Sequence, residues 1–382
     1  MRFARFFAFA FLIGSLAMAE RWKIQYFYDE PRNTFWIEDL SFPSAKRGIA
    51  VGTVRSGPTQ GFKEKYIAIL TSDGGEHWTI EPLKDHPRSL FFLNDSIGWM
   101  VCDNGIWFTE ESGHNWKKIG NQKKGDKKIG PVPAGGLITR VWFLGEKHGF
   151  AVGLQKSVLE TKDGGITWTD VPEAARPAAN PAYAAYSEIA FVGPKIGVII
   201  GGSVPPRLDD PNVPTWMEPE RAVKRRQVPT LKIELETLDG GATWRSSTTP
   251  LFGDVASLKL ADKTGLAVFG FAESFEWPSE VYRLDLSTGK NSLAFHARDR
   301  RVTDCALFPG PRAFLAAVEP PGKLNTVPIP GKVRILSSSN LTDWSEMNVD
   351  YKANARSVIL DGPDPENQWA ATDTGMILHL VR

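Results

Sequence analysis

Several things are scarce in this chain. Among 382 residues there are two cysteines, six histidines and six methionines. Two cysteines cannot staple a protein of this size, so a disulfide scaffold is excluded. Beyond residue 19 no apolar run approaches the roughly 18 residues of a membrane-spanning helix. Charge of one sign is lacking too: 45 Lys plus Arg face 44 Asp plus Glu, a formal net charge of +1. No global field therefore drives the chain onto nucleic acid or an acidic membrane, and no nucleic-acid partner is expected. The histidines show no metal-ligand spacing, and there is no Walker-type or dinucleotide glycine motif. Neither a metal nor a cofactor is expected.

What the chain has is turn formers and tryptophan: 35 Gly, 27 Pro and 13 Trp. So many Gly and Pro do not suit a helical protein, and a hydrophobic content of 42% does not suit a disordered one. The first nineteen residues stand apart. Arg2 and Arg5 precede an apolar run from Phe6 to Leu16, and Ala17-Met18-Ala19 is a small-x-small cleavage site. This reads as a secretory signal peptide cleaved after Ala19. Residues 20–382 are then expected as a single domain with no transmembrane segment, periplasmic or secreted, and monomeric. Cys102 and Cys305 fall in non-adjacent parts of the chain and are expected as buried thiols rather than a disulfide.

The sequence repeats itself. Thr71 to Trp78, Thr109 to Trp116, Thr161 to Trp168 and Thr237 to Trp244 share the pattern Thr-x-Asp-x-Gly-x-x-Trp or a close variant. A degenerate copy runs from Ser337 to Trp344. The string is a tight turn between two strands. Asp73, Asp163 and Asp239 can accept backbone N–H bonds inside their own turns. Gly75, Gly113, Gly165 and Gly241 allow positive φ. Trp78, Trp116, Trp168, Trp244 and Trp344 begin the next strand and can lay their rings back over the turn. Upstream of each string an apolar segment ends in a short turn and a Gly-apolar segment, as in Leu90 to Leu93 followed by Gly98 to Val101. Each unit thus carries four short strands, A to D, the pattern of a propeller blade. Strand A starts fall near residues 37, 88, 138, 186, 254, 301 and 355, which gives an all-β, seven-bladed propeller. The last unit lacks a strand D. Residues 21–27, with Trp22 standing where the repeated Trp stands elsewhere, are expected to supply it and close the ring.

These strings resemble the Asp-box (BNR) repeat. The longer pattern, Phe-x-(turn)-Gly-apolar-x-Val-Gly followed by Thr-x-Asp-Gly-Gly-x-x-Trp, resembles the photosystem II stability/assembly factor family, and more distantly the sialidase-like superfamily. The resemblance covers residues 22–382. It implies a non-catalytic seven-bladed propeller, exported across a membrane, that helps assemble a membrane complex and carries an arginine patch on its partner-binding face.

The insertions sort onto one face. Residues 56–65, 203–230, 272–279 and 319–331 are B–C loops, and 120–136 and 172–185 are D–A loops. In an antiparallel blade these leave from the same end, while A–B and C–D turns share the other. Function sits on elaborated loops held by a rigid scaffold, so a protein or peptide partner is expected there, with loops 120–136 and 203–230 setting specificity. Loop 120–136 holds Lys123, Lys124, Lys127 and Lys128; loop 203–230 holds Trp216, Arg225 and Arg226; Trp277 lies on the same face. Arg88, Arg140, Arg301 and Arg356 recur near strand A starts and would form an anion-binding ring. Glu38, Asp39, Glu188 and Asp304 occupy similar positions, so ion pairing between blades is an equal reading. An alternative function is an Asp-box glycoside hydrolase, drawing on Asp39, Glu188 and Asp304 as carboxylates, with Tyr183 and Tyr186 beside Glu188. A third is a carbohydrate-binding propeller without hydrolysis.

Overall fold

The computed structural model describes residues 20–57, 63–120, 138–203, 230–251, 253–271, 277–320 and 329–382. Within them the short alternating segments form seven sheets, each of four antiparallel strands in sequence order apart from the sixth, to which Asn354–Ala355 adds a short fifth strand, and the last. The innermost A strands are Asn33–Ser41, Pro87–Phe92, Ile138–Phe143, Ala184–Val192, Asp254–Ala261, Arg301–Phe308 and Val358–Asp364. Each packs on the A strand of the next blade, and the seventh packs on the first, so the ring is closed. The protein is a seven-bladed β-propeller.

Closure is made by the N-terminal strand. Arg21–Phe27 runs antiparallel to Met376–Val381, the C strand of blade 7, with Trp22 opposite Leu380. Trp22 is 1% exposed, edge-on to Phe314 of blade 6, and its Nε1 donates to Met347 Sδ at 3.4 Å. On its other edge this strand pairs in parallel with Asn348–Val349. That fifth strand is absent from the sequence reading, because two residues carry no alternation to read.

A repeated aromatic seam joins the blades. The phenylalanine ending strand A lies flat on the glycine that opens strand B. A Cβ on Gly48 would sit 2.1 Å from the Phe42 ring, and one on Gly149 would sit 2.5 Å from Phe143. A side chain there would evict the ring. The ring's other contacts cross to the preceding blade. Phe42 stacks on Trp369 at 4.2 Å, Phe143 on Trp99 at 3.6 Å and Phe191 on Phe150 at 5.5 Å. The Trp of the turn then meets each phenylalanine edge-on: Trp78, Trp168 and Trp244 lie 6.2–6.3 Å from Phe42, Phe143 and Phe191. Trp116 does the same with Phe92, whereas Trp344 meets Phe295 of the outer strand of blade 5.

The turns are built as their residue types demand. Asp163 Oδ1 accepts from the Thr167 N–H and from Thr161 Oγ1, both at 2.9 Å. Asp73 and Asp239 repeat this with His77 and Thr243, and those bonds hold both carboxyls down at about 2. Gly75, Gly113, Gly165 and Gly241 have φ between +85° and +95°. Trp78 and Trp168 each donate Nε1 to a turn carbonyl at 3.0 Å. In blade 6 Asn340 replaces the Asp, and Trp344 donates instead to the Ala294 carbonyl of blade 5. Cys102 and Cys305 are both free and buried, and burial pushes the Cys305 thiol up to about 12.

Replacing Trp22 with Ala removes the anchor of the closing strand. The expected cost is about 3–5 kcal/mol, the range for a fully buried tryptophan. Chemical denaturation should show one cooperative transition at lower denaturant for this variant; an unchanged midpoint would contradict closure by residues 21–27.

Candidate binding face

Register fixes which end of each blade carries the connectors. The start of strand A lies beside the end of strand B: Ala184 opposite Ser203, Asp254 opposite Gly270, Arg301 opposite Val318. Connectors 57–62, 204–229, 271–278 and 319–330 (B to C) and 119–137 and 171–183 (D to A) all attach at that end. We call it the loop face; the Asp-box turns mark the opposite, box face. Lys123, Lys124, Lys127, Lys128, Trp216, Arg225 and Arg226 lie outside the described residues.

Connector 171–183 is described, and it is pinned. Two short 3-10 turns, Pro172–Ala175 and Pro181–Tyr183, are tied by the buried Lys156. Its Nζ donates to the Ala175 and Pro177 carbonyls at 2.7 Å and to Ala179 at 3.4 Å. Three carbonyls satisfy one buried ammonium. Tyr186 is fully buried and its hydroxyl donates to the Ala174 carbonyl at 3.1 Å, while burial pushes its phenol pKa well above the usual range. It is a packing residue, which removes it as the partner of a nucleophile pair. Trp277 stacks on His296 at 3.9 Å, with the Arg298 guanidinium 5.1 Å from its ring.

Near the axis, six of the A strands contain a bulge at one position. The extra residues are Glu38, Arg88, Thr139, Ser187, Ala256 and Thr303, and those that follow are Asp39, Ser89, Arg140, Glu188, Ser257 and Asp304. A bulge re-aims the side chain after it. The re-aimed residues tie one blade to the next. Asp39 accepts from the Leu90 N–H at 2.7 Å; Ser89 donates to the Thr139 carbonyl at 2.7 Å; Arg140 Nε donates to Glu188 at 2.9 Å. Ser257 donates to Asp304 at 2.5 Å, Asp304 accepts from the Leu360 N–H at 2.8 Å, and Asp361 accepts from the Phe42 N–H at 2.5 Å. Burial pushes Glu188 up to about 7, against the pull of Arg140, and Asp361 up to about 6, against the pull of Lys259. Burial likewise raises Asp39. Glu188 raises the Arg140 guanidinium still further.

This geometry sorts the four arginines. They hold different register positions and do not form a ring. Arg88 is a bulge residue, bonded to Asp103 at 2.5 Å beside His86. Arg140 is a re-aimed residue paired with Glu188. Arg301 opens its strand, exposed, with no ion pair among the described residues. Arg356 precedes strand A of blade 7, 3.7 Å from Asp373, with its guanidinium 5.1 Å from the Trp36 ring. The axis holds four carboxylates (Asp39, Glu188, Asp304, Asp361) in mutual electrostatic reach of two cations, Arg140 and Lys259. It is acidic where a guanidinium ring was expected, because three of the six bulged blades place an acid after the bulge (Asp39, Glu188, Asp304) and blade 7 adds Asp361.

The loop face also holds a cavity of about 350 Å³ where blades 3, 4 and 5 meet. Its walls include Leu154, Tyr183 and Val255, and its polar residues include Lys232 and Asp254. Leu154 and Tyr183 are 45% and 44% exposed, unusual for large apolar side chains. Sequence reasoning missed Lys232: Thr230 to Thr237 alternates, and nothing in it shows that blade 5 covers the lysine side. Among the described residues one His–carboxylate trio, Asp73, Glu76 and His77, lies within ligand distance, on the box face and exposed. His77 bonds Asp73 at 2.7 Å there, as Thr167 bonds Asp163 in another box, so the contact belongs to the turn.

No family model and no curated protein matches this sequence. Solved structures do. YCF48 bound to D1 peptide aligns with a TM-score of 0.56 at 15% identity, over 94% of this chain and 97% of that one. YCF48 from Cyanidioschyzon merolae gives 0.56 at 14%, over 94% and 98%. The extracellular domain of BT4673 from B. thetaiotaomicron gives 0.55 at 10%, over 95% of this chain and 40% of that one. At these identities the likeness is one of fold, and at that level it agrees with the resemblance seen in the sequence.

The axis acids set a pH dependence. Glu188, raised to about 7, stays protonated in the folded state where the unfolded chain, at its ordinary 4.5, has released its proton. Stability therefore falls as pH rises between about 4.5 and 7. Glu188→Gln should flatten that decline while keeping an acceptor for Arg140. Denaturation midpoints measured from pH 4.5 to 8 check this; parallel curves for the two proteins would contradict it.

Proposed function

We propose that this propeller is an exported binding protein without catalytic activity, whose loop face holds a protein or peptide partner. We further propose that it serves as an assembly or stability factor for a membrane or envelope complex. The observation that carries the reading is the one-sided elaboration. Every connector longer than seven residues attaches to the loop face, and the cavity with its exposed Leu154 and Tyr183 opens there. A rigid ring with all its variation at one end suits recognition. The solved complex of YCF48 with D1 peptide supports a peptide partner for a propeller of this shape. Export rests on the signal-like residues 1–19.

The glycosidase reading is less well supported. It needs two carboxylates about 5–9.5 Å apart flanking a sugar, with oxygens available to it. Asp39 accepts from Leu40 and Leu90, Asp304 from Ser257, Cys305 and Leu360, and Glu188 is paired with Arg140. All three serve the seams between blades.

The test is a peptide array of envelope-protein segments probed with the wild-type protein and three variants. Leu154→Asp and Tyr183→Asp should each weaken the strongest signals about tenfold or more, as loss of a central apolar contact does. Ile166→Asp, at a 62% exposed site on the box face, should leave them unchanged. Equal loss in all three, or loss in the box-face variant alone, would contradict the reading.

A further inference from the structure

Among the described residues that line the cavity, Lys232 is the buried one whose charge is not balanced. It lies in strand C of blade 4 and is 4% exposed. Its Nζ donates to the Gly253 carbonyl at 2.5 Å and sits 4.9 Å from the centre of the Phe269 ring. An ammonium has three N–H donors. The other two meet no acceptor among the described residues. Lys156, the comparable buried lysine 76 positions earlier, gives its donors to three carbonyls. Burying a cation without a counter-charge costs several kcal/mol. Desolvation pulls the Lys232 amine down to about 8, and the Asp254 carboxylate pushes back without forming an ion pair. Glu234, two residues along the same strand, is engaged with Ser247.

The surroundings fit a particular kind of ligand. The cavity volume is at the lower end of the about 300–1,000 Å³ of small-molecule sites. Gly202 lies beside Nζ: a Cβ there would stand 3.6 Å from it. Leu154, Tyr183 and Val255 offer apolar surface on the same cavity. We propose that this cavity binds a carboxylate carried on a small apolar group, the carboxylate on Lys232 Nζ and the apolar group against Leu154, Tyr183 and Val255. The carboxylate would take the unused donors and supply the missing counter-charge. It comes from a free organic acid or from an acidic side chain of a bound peptide. The site rests on the peptide-binding reading in the second case alone.

The experiment uses hexanoate, hexanamide and a doubly blocked peptide containing Leu-Glu. Lys232 is labelled with limiting acetic anhydride and quantified by mass spectrometry, and affinity is measured by calorimetry. A charge-assisted bond to a desolvated amine is worth about tenfold or more in affinity. Hexanoate or the peptide should protect Lys232 by at least that factor at saturation, and hexanamide should not. Lys232→Met should lose the affinity while melting at or above the wild-type temperature. Protection by the peptide and not by hexanoate assigns the source to a peptide side chain. Protection by hexanoate assigns it to a free acid. The proposal is overturned if neither carboxylate protects, if hexanamide protects equally, or if Lys232→Met binds as wild type does. A lysine serving the seam alone would bind none of them and would destabilise the protein on substitution. If no carboxylate binds but peptide capture still depends on Leu154 and Tyr183, this site fails and the function proposed above stands. If hexanoate binds and no peptide does, the reverse holds.

Discussion

The structure depends on how one blade seats against the next. A four-stranded sheet with two apolar faces cannot be stable alone, so the unit of stability is the seam between blades. The seam is a stack of a strand B aromatic from one blade and the strand A phenylalanine of the next, capped edge-on by the Trp of the turn. It works because the phenylalanine lies on a glycine: at Gly48, Gly98, Gly149 and Gly197 there is no room for a Cβ beneath the ring. Ring closure follows from the same constraint. Without Arg21–Phe27 the last seam would lack Trp22, and two sheet edges would stand open.

Towards the axis a second, polar set of contacts repeats the job with different atoms. A bulge in strand A turns one side chain inward, and that side chain reaches the backbone or a charge of the following blade. The set tolerates variety: Asp, Ser, Arg and Glu all serve, since each can donate or accept across the seam. It also has a cost, because buried carboxylates are hard to ionise. Seams and axis together leave little of the scaffold available for recognition. What is left is the loop face, where connectors leave the strands and where an open cavity lies between blades 3, 4 and 5.

Much of this was legible in the sequence. The boxes, the Gly-apolar segments after each strand A, the seven-fold count and the closing strand are all periodic or carry turn chemistry, and such signals survive in one chain. The axis contacts were not, because a bulge breaks the alternation that assigns faces. Arg88 and Arg140 look equivalent in the sequence, yet one is the extra residue of its bulge and the other follows it. Asp39, Glu188 and Asp304 were noticed, but their bonds to the neighbouring blade depend on that shift. Nothing in the sequence marks Lys156 or Lys232 as buried. The first is buried by its own connector and the second by the next blade, contacts that no local pattern encodes.

In the function proposed above, the ring is a scaffold and the loop face its working surface. Site-specific photo-crosslinking in intact cells tests it most directly. A photoreactive residue is placed at Gln155 or Tyr183 on the loop face and at Ile166 or Leu238 on the box face, where all four sites are exposed. Discrete protein adducts are expected from positions 155 and 183 and none from 166 or 238. Adducts from the box-face positions, with positions 155 and 183 giving none, would contradict it.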